Sequence, residues 1–388
     1  MSGVPRPSNV PAPSVEADCV LESFVLESGV ELKPATLHYT VYGKLNETKS
    51  NAVLVCHALS GSARVSDWWP ELFGAEKIFD VERDCVICIN VLGSCYGSTG
   101  PLSINLATGK PFGPDFPIVT IRDIVRAEAK VIDQLGITKL RVAIGGSIGG
   151  MQALEWSIQF PERVGTCIAI GATRLSAMGL ALNHLQRKAI QLDPAYQGGH
   201  YATDAGPSGG LALARGLAMC TYKSSELLAE RYDRRPNRSG EDPYATVEGR
   251  FDVAGYLDYQ GKIFVKRFDA NSYISISKTM DTFDFGRGFA SDGDALRRIQ
   301  ARVLLVGISS DWLFPAADVR RLADQIKAAG VRCDYVEQIS DHGHDAFLAE
   351  PEHLLSLILP TLTASREETL IAGAPCPAGK GAAPACCR

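Results

Sequence analysis

A serine in a glycine-rich stretch is the first residue whose surroundings suit covalent chemistry. Ser147 lies between Gly145 and Gly149 in a G-x-S-x-G pattern, after a run that predicts a strand (140–144) and before one that predicts a helix (151–159). A sharp strand-to-helix turn presents the serine hydroxyl at the helix N-terminus, and its strained backbone leaves no room for larger neighbours. The pattern therefore predicts a nucleophilic serine.

Two other interpretations of this stretch are open: a turn that only packs a strand against a helix, and a phosphate-binding turn. A nucleotide site is disfavoured, because no acidic residue follows on a later strand at dinucleotide spacing and no Lys-Ser/Thr pair closes the loop. The partners available to Ser147 must decide between these interpretations.

A nucleophilic serine needs a general base, and the base needs an acidic residue to orient it. On a turn of this kind the three follow in the chain order serine, acid, histidine. Asp311 comes just after the predicted strand 303–306, and His344 lies in a loop before the last predicted helix. We predict Asp311 as the acid and His344 as the base, because a base needs a fixed tautomer from a partner across the fold. His342 and Asp341, in the same loop, are the competing candidates.

An acyl intermediate also needs donors for its negatively charged oxygen. Ile148, which follows the nucleophile, is predicted to offer one backbone N–H, and a loop after an early strand is predicted to offer another. In that loop we predict Leu59 as the second donor, because the chain must turn out of the strand before an amide can face Ser147. His57, at the start of the loop, is predicted to lock it by hydrogen bonding rather than to act in catalysis.

Short apolar runs rich in β-branched residues predict strands buried on both faces, and several alternate with helical patterns. Together with the serine turn, this predicts an α/β-hydrolase fold with a mainly parallel central sheet. From 173 to 296 the strand rhythm stops, which predicts a helical lid inserted into a core formed by residues 17–172 and 297–366. Residues 1–16 and 367–388, rich in small residues and proline, are predicted to be disordered.

Composition narrows the class of protein. The 388 residues are 46% hydrophobic and 21% charged with a net charge of -5, which leaves no basic surface for nucleic acid. Without a secretory signal or an apolar run long enough for a membrane, we expect a cytoplasmic protein. Eleven cysteines are present, and we expect reduced thiols and no metal, since Cys85 and Cys88 of the C-x-x-C pair would point to opposite faces of one strand.

Several sequence blocks, taken in order, resemble the homoserine O-acetyltransferases of the α/β-hydrolase fold and their serine- and succinyl-using relatives. The resemblance spans about Phe24 to Leu362. The blocks are His57-Ala-Leu-Ser-Gly61, Val91-Leu-Gly-Ser-Cys-Tyr-Gly-Ser-Thr-Gly-Pro101, Gly145-Gly-Ser-Ile-Gly-Gly-Met-Gln152, Tyr256-Leu-Asp-Tyr-Gln-Gly261, Arg267-Phe-Asp-Ala-Asn-Ser-Tyr273 and Gly343-His-Asp-Ala-Phe-Leu348.

By this resemblance, acetyl-CoA would acylate Ser147, and the hydroxyl of homoserine, deprotonated by His344, would attack the acyl-enzyme in a ping-pong reaction of methionine biosynthesis. The family's carboxylate-binding arginine corresponds to Arg215, and its active-site tyrosine to Tyr222, seven residues on and on the same helical face. Asp345 corresponds to the residue that holds the substrate ammonium. Arg215 has an alternative role as an ion-pair partner of a lid carboxylate. Acyl-CoA would be a co-substrate with no further cofactor, and a homodimer is implied, as the apolar lid helices also suggest.

Some positions depart from the family pattern. Asp67 stands where a glycine is usual, Ile148 where a methionine is usual, and Ser60 where a threonine is usual in the oxyanion loop. Ile148 still supplies its amide, and Ser60 keeps a hydroxyl for substrate. Arg64 and Asp67 are expected near the acyl pocket, where they would change its charge.

Alternatives to homoserine acetylation remain. A succinyl donor or a serine acceptor is open, because one methylene is worth only about 1–3 kcal/mol of discrimination. An esterase uses the same triad and lets water reach the acyl-enzyme. Arg215 with Asp345 argues against an esterase of neutral substrates, which needs neither charge. A non-catalytic protein on this fold would be expected to lack a triad residue, and all three are present.

Overall fold

An eight-stranded sheet forms the centre of the molecule, and the computed structural model describes residues 10–202 and 204–373. The sheet has the spatial order β1-β2-β4-β3-β5-β6-β7-β8; β2 is antiparallel to both of its neighbours, and the remaining neighbouring pairs are parallel. The predicted α/β-hydrolase fold with a mainly parallel sheet is confirmed. The strands are β1 (Val15–Leu21), β2 (Ala35–Tyr42), β3 (Ala52–Cys56), β4 (Cys85–Ile89), β5 (Leu140–Gly146), β6 (Val164–Ile170), β7 (Arg302–Ile308) and β8 (Cys333–Gln338).

Helices cover both faces of the sheet and fill the stretch between β6 and β7. They are α1 (Ile121–Gln134), α2 (Ile148–Gln159), α3 (Ala177–Gln191), α4 (Ser208–Thr221), α5 (Ser225–Tyr232), α6 (Asp252–Val265), α7 (Ala270–Asp281), α8 (Asp292–Leu296), α9 (Ala316–Ala328), α10 (Ala346–Ala349) and α11 (Pro351–Gly373). Two small hairpins pair Phe24–Val25 with Glu31–Leu32 and Ile104–Asn105 with Lys110–Pro111.

The alternation of side chains along the strands divides the core into two layers. On β3, Leu54 packs into one apolar cluster, whereas Val53 and Val55 pack into the other. Cys85 and Cys88 on β4 are divided between the two clusters in the same way, so the C-x-x-C pair does not converge on one point. The cysteines of the described residues are free thiols.

The insertion between β6 and β7 is helical. Among the described residues of this stretch there are α3 to α8 and no strand, and α4 packs against both α3 and α6. The insertion leaves and rejoins the sheet at adjacent strands, since β6 pairs with β7 from Thr166 opposite Arg302. The chain therefore returns to the sheet beside the strand it left.

Both predicted disordered ends include residues that form regular secondary structure. β1 begins at Val15, because this segment pairs along β2 up to Leu21 opposite Ala35. Helix α11 continues past residue 367 to Gly373, because the Gly/Pro-rich composition starts only there. The rest of the two predicted ends, 1–9 and 374–388, lies outside the described residues.

In the part of the chain that the structure describes, no helix has the length and apolar character needed to cross a membrane. Over the same residues, no group of three or more His, Cys, Asp and Glu side chains is arranged to hold a metal ion.

A buried charge cluster ties the last helix to the sheet, and it yields a stability prediction. Asp84, 2% exposed, accepts hydrogen bonds from Arg141 on β5 at 2.6 Å and from Arg366 on α11 at 2.8 Å. Asp84→Asn leaves two guanidinium groups without their counter-ion, and we expect it to lower the free energy of unfolding by about 3 kcal/mol. Urea unfolding measures the change.

The matched control is Glu352→Gln, which breaks the ion pair between Lys77 and a carboxylate whose side chain is 68% exposed. Solvent screening limits that pair, so the expected change is below about 1 kcal/mol. Equal losses in the two variants would contradict the role given to Asp84.

Candidate active site

Ser147 occupies a strained turn between β5 and α2. Its backbone has φ 59° and ψ -128°, in the left-handed half of the map that costs a non-glycine residue energy. The turn is closely packed: a Cβ on Gly145 would lie 2.4 Å from the Gly149 carbonyl carbon, and a Cβ on Gly149 would lie 2.1 Å from the Cys56 carbonyl oxygen. Although Ser147 is the N-cap of α2, its side chain caps no amide. The hydroxyl is therefore left for chemistry, as the motif predicts.

The structure brings Asp311 and His344 together. The Nδ1–H of His344 donates to Asp311 Oδ2 at 2.6 Å, and the other oxygen of Asp311 accepts from the amides of Leu313 and Phe314 at 2.9 Å each. The Nε2 atom of His344 is buried and has no hydrogen-bond partner among the described residues. With Nδ1 as the donor, Nε2 is the basic nitrogen. Ser147 lines the same cavity as His344, and no hydrogen bond joins the two side chains.

The competing candidates do not form this pair. His342 hydrogen-bonds through its backbone N–H to Ser340, and Asp341 accepts the amide of Ser224 through its backbone carbonyl. The side chains of Asp311 and His344 are hydrogen-bonded to each other, and among the described residues no such bond joins the side chains of Asp341 and His342.

The charge state of His344 reflects opposing influences. Burial by itself lowers the pKa of His344, but the charge of Asp311, its hydrogen bond and the charge of Asp345 together outweigh burial and raise the pKa above its ordinary value of 6.5. The same groups stabilise the imidazolium that forms once the base has taken a proton.

The predicted oxyanion donors lie where their amides are free. Leu59 lines the same cavity as Ser147 and His344, and its N–H donates to no acceptor within residues 10–202 and 204–373. Ile148 is the first residue of α2, so its N–H lacks an intrahelical partner. Both amides are available to an acyl oxygen.

His57 holds the oxyanion loop in the way the sequence predicts. Its Nδ1–H donates to the Ala58 carbonyl at 2.8 Å, and its Nε2 accepts the Val91 amide at 3.1 Å, which requires the neutral ring. Burial lowers the pKa of His57 to about 4. Because C=O and N–H point in opposite directions across a trans peptide, fixing the Ala58 carbonyl also fixes the direction of the Leu59 amide.

The residues assigned to substrate by resemblance line one cavity of about 340 Å³ together with Ser147 and His344. Arg215 lies 5.4 Å from the ring centroid of Tyr222, in line with their predicted common helical face. Arg215 forms no ion pair with any carboxylate of the described residues, so the alternative of a lid ion pair is not observed. Burial raises the pKa of Tyr222, against the opposing charge of Arg215. Ser60 lines the same cavity.

Asp345 has a partner that sequence reasoning missed. Its Oδ2 lies 3.0 Å from Lys223 Nζ, and both side chains line the cavity. Lys223 directly follows Tyr222, and this adjacency is the only sequence signal that could have included it. Trp68, Phe264 and Arg267 also line the cavity and carried no assigned role.

Arg64 and Asp67, which are expected near the acyl pocket, do not line the cavity that contains Ser147. The guanidinium of Arg64 turns outward to form an ion pair with Glu16 on β1. The Asp67 residue is exposed.

The strand order, the strained serine turn and the hydrogen-bonded Asp-His pair define an α/β-hydrolase-fold protein, and a family model of that fold matches residues 51–351. A homoserine O-acetyltransferase of Symbiobacterium thermophilum is 48% identical over 84% of this chain and 88% of that protein. One from Moorella thermoacetica is 44% identical over 88% and 94%. The chain therefore belongs to the homoserine O-acetyltransferase family, and it is an acyltransferase.

Solved structures agree with this assignment. A homoserine O-acetyltransferase from Bacillus anthracis matches with a TM-score of 0.83 and 27% identity, covering 90% of this chain and 96% of that one. The structure of esterase E22 matches with a TM-score of 0.81 at 24% identity, over 92% of this chain and 99% of that one, which shows the fold alone. The scaffold is thus one on which esterases are also built.

The raised pKa of His344 generates a prediction on pH dependence. His344 must be neutral to accept a proton, so acylation of Ser147 should slow as the pH falls through the pKa of His344, above 6.5. Asp345→Asn removes a negative charge that raises this pKa, so the acid limb of the plot of acylation rate against pH should move to lower pH. Burst kinetics with an activated acetyl ester across pH 5 to 9 measure the shift.

The control is Asp341→Asn, which changes the same charge in the same loop on an exposed residue. It should leave the limb in place. A limb that is the same in wild type and Asp345→Asn would show that Asp345 does not act on the base.

Proposed function

We propose that the protein transfers an acetyl group from acetyl-CoA to the side-chain hydroxyl of L-homoserine through an acetyl-Ser147 intermediate. One observation carries this proposal: the guanidinium of Arg215, without a carboxylate partner among the described residues, lines the cavity that contains Ser147 and His344. A guanidinium donates two parallel hydrogen bonds to a carboxylate, so it suits an amino-acid acceptor. The relatives described above are named for this reaction.

In the first half-reaction, Ser147 attacks the thioester carbonyl while His344 Nε2 takes the hydroxyl proton. The tetrahedral oxyanion is placed against the amides of Leu59 and Ile148. Collapse of this intermediate breaks the C–S bond, and the CoA sulfur leaves with the proton from His344. The acetyl group is then an ester of Ser147.

In the second half-reaction, the acceptor enters the same cavity. Arg215 binds its α-carboxylate and Asp345 its ammonium, while His344 deprotonates its hydroxyl. The alkoxide attacks the acetyl-enzyme, and His344 returns the proton to Ser147 Oγ as the ester is released. Lys223 leaves one oxygen of Asp345 for the ammonium, because its contact is with Oδ2 alone.

Acetyl as the donor group is supported by the names of the relatives described above. Hydrolysis is the main competing function, since esterase E22 shares the scaffold. O-acetylation of homoserine would make the protein an enzyme of methionine biosynthesis. We expect it to be located in the cytoplasm.

The test separates the two half-reactions. Acetyl-CoA alone should leave one acetyl adduct by mass spectrometry, absent from Ser147→Ala, and homoserine should discharge it faster than water or serine does. Arg215→Ala should spare the burst of thiol release but weaken transfer to homoserine by about 2–4 kcal/mol, because the acceptor loses a charge-assisted contact. Arg215→Lys should recover part of the loss, since one ammonium cannot reproduce the fork.

Arg234→Ala is the matched control, because Arg234 is an exposed lid arginine packed on Phe251 outside the cavity. It should change neither half-reaction. A collapsed burst with normal transfer in Arg215→Ala would place Arg215 on the CoA side. Discharge by water at the rate of homoserine would identify an esterase.

We also propose that the protein forms a homodimer through its lid. Leu213, 59% exposed, lines a groove of about 690 Å³ between α4 and α6 whose other walls include Leu217, Leu257 and Val265. An exposed apolar surface of this kind is typical of a protein interface. A second copy of the chain is the occupant that the family resemblance implies.

Leu213→Asp should therefore shift the protein from dimer to monomer, because the apolar contact of Leu213 is lost and a carboxylate must be desolvated at the interface. Sedimentation velocity at micromolar concentration measures the change. Val247→Asp, at a 98% exposed apolar residue outside the groove, should leave the dimer intact. A wild-type protein that sediments as a monomer would contradict the proposed dimer.

A further inference from the structure

Three of the sequence blocks that carry the family resemblance meet at the guanidinium of Arg267. Arg267, between α6 and α7 of the lid, donates from Nη1 to the Ser60 carbonyl at 2.9 Å and to the Tyr96 hydroxyl at 2.8 Å. Ser60 follows the predicted oxyanion donor Leu59. Neither Arg267 nor Tyr96 has a part in the reaction proposed above.

The guanidinium of Arg267 is held in place although the residue is exposed. It lies 5.0 Å from the ring centroid of Phe264, which is 1% exposed. Phe264 stacks on Phe268 at 5.0 Å, and Tyr96 packs edge-on against Phe268 at 5.7 Å. The same cluster of aromatic rings thus packs against Arg267 and against Tyr96, whose hydroxyl Arg267 binds. Such contacts limit the rotamer freedom that an exposed arginine usually keeps.

The oxyanion loop depends on contacts of this kind because no strand or helix ladder holds it. Upstream of the Leu59 amide, the Ala58 carbonyl accepts from His57 and from the Gly61 amide. Downstream, the Ser60 carbonyl accepts from Arg267. The peptide that carries the Leu59 N–H is therefore held at its carbonyl by His57 and by the Gly61 N–H, and Arg267 holds the Ser60–Gly61 peptide to which the Gly61 N–H belongs.

We propose that Arg267 is a positioning residue for the oxyanion hole. Through Arg267, the position of the lid affects the orientation of the Leu59 amide. By binding the Ser60 carbonyl, the lid arginine keeps the loop in the conformation in which Leu59 can meet an acyl oxygen. Preorganised donors stabilise a transition state because they need no reorientation during the reaction. The inference deepens the proposed function, since it rests on an oxyanion hole at this loop.

The test uses Arg267→Met, which keeps an apolar stem against Phe264 but removes the donor and the charge. Acylation of Ser147 is measured as a burst with p-nitrophenyl acetate and with acetyl-CoA. We expect the acylation rate to fall about 10- to 100-fold with both acyl donors, with KM unchanged. The loss is smaller than for a deleted oxyanion-hole N–H, because the Leu59 N–H is still present but poorly oriented. Arg267→Lys should recover part of the rate, since its ammonium can still donate to Ser60.

A second readout separates positioning from a merely structural role. A methylboronic acid forms a tetrahedral adduct on Ser147, and its affinity should fall by the same factor as the acylation rate, because both report the oxyanion site. Tyr96→Phe, which removes only the hydroxyl that orients Arg267, should give a smaller loss in the same direction. Lys266→Met, an exposed neighbour outside the catalytic cavity, is the matched control and should change neither quantity.

The outcomes discriminate. Unchanged acylation and boronate affinity in Arg267→Met and Tyr96→Phe would overturn the proposal. A raised KM for acetyl-CoA alone, with normal reaction of the small ester, would also overturn it and make Arg267 a contact for the CoA body. If acetyl-CoA fails to acylate the wild type while the small ester succeeds, the proposed donor is wrong, and the ester and boronate data still decide the role of Arg267.

Discussion

The close approach of three chain segments at the serine turn is the constraint on which the site depends. The end of β3, the end of β5 and the first turn of α2 are packed so tightly that only glycine fits at 145 and 149. This contact places the nucleophile, the Ile148 amide and the start of the oxyanion loop in one small volume. Asp311 and His344 then need only follow the ends of β7 and β8 to lie at the same edge of the sheet as Ser147, because the carboxyl ends of parallel strands share one edge.

Sequence patterns predicted the fold class because its signals are local. Buried parallel strands read as apolar runs, and the serine turn has a short motif with fixed glycines. The first strand escaped prediction for a physical reason. Val15–Leu21 is an edge strand of mixed polarity, and it is recognisable only through its pairing with β2, about twenty residues further on. The lid boundaries remain a prediction from composition.

The contact between Asp311 and His344 was also predictable, since the order of acid and histidine follows from the order of strands. The contacts of long charged side chains were not. Lys223 meets Asp345 across 122 positions, and Arg267 meets Ser60 across 207. Arg64 shows the converse: it lies four residues after Ser60 yet turns away to Glu16. A flexible side chain has several directions open to it, and only the tertiary surroundings select one.

The insertion between β6 and β7 can change in evolution more freely than the sheet. Its two ends rejoin neighbouring strands, so its length and sequence can vary at small cost to the sheet. The proposed triad lies outside this stretch, whereas Arg215, Tyr222 and Lys223 lie within it. The residues proposed to bind the acceptor thus lie mostly in one contiguous segment, with Asp345 as the exception. Evolution could exchange one acceptor for another by changing that segment while Ser147 and its strained turn stay unaltered. Chimeras joined at the end of β6 and the start of β7 would make the same change in the laboratory.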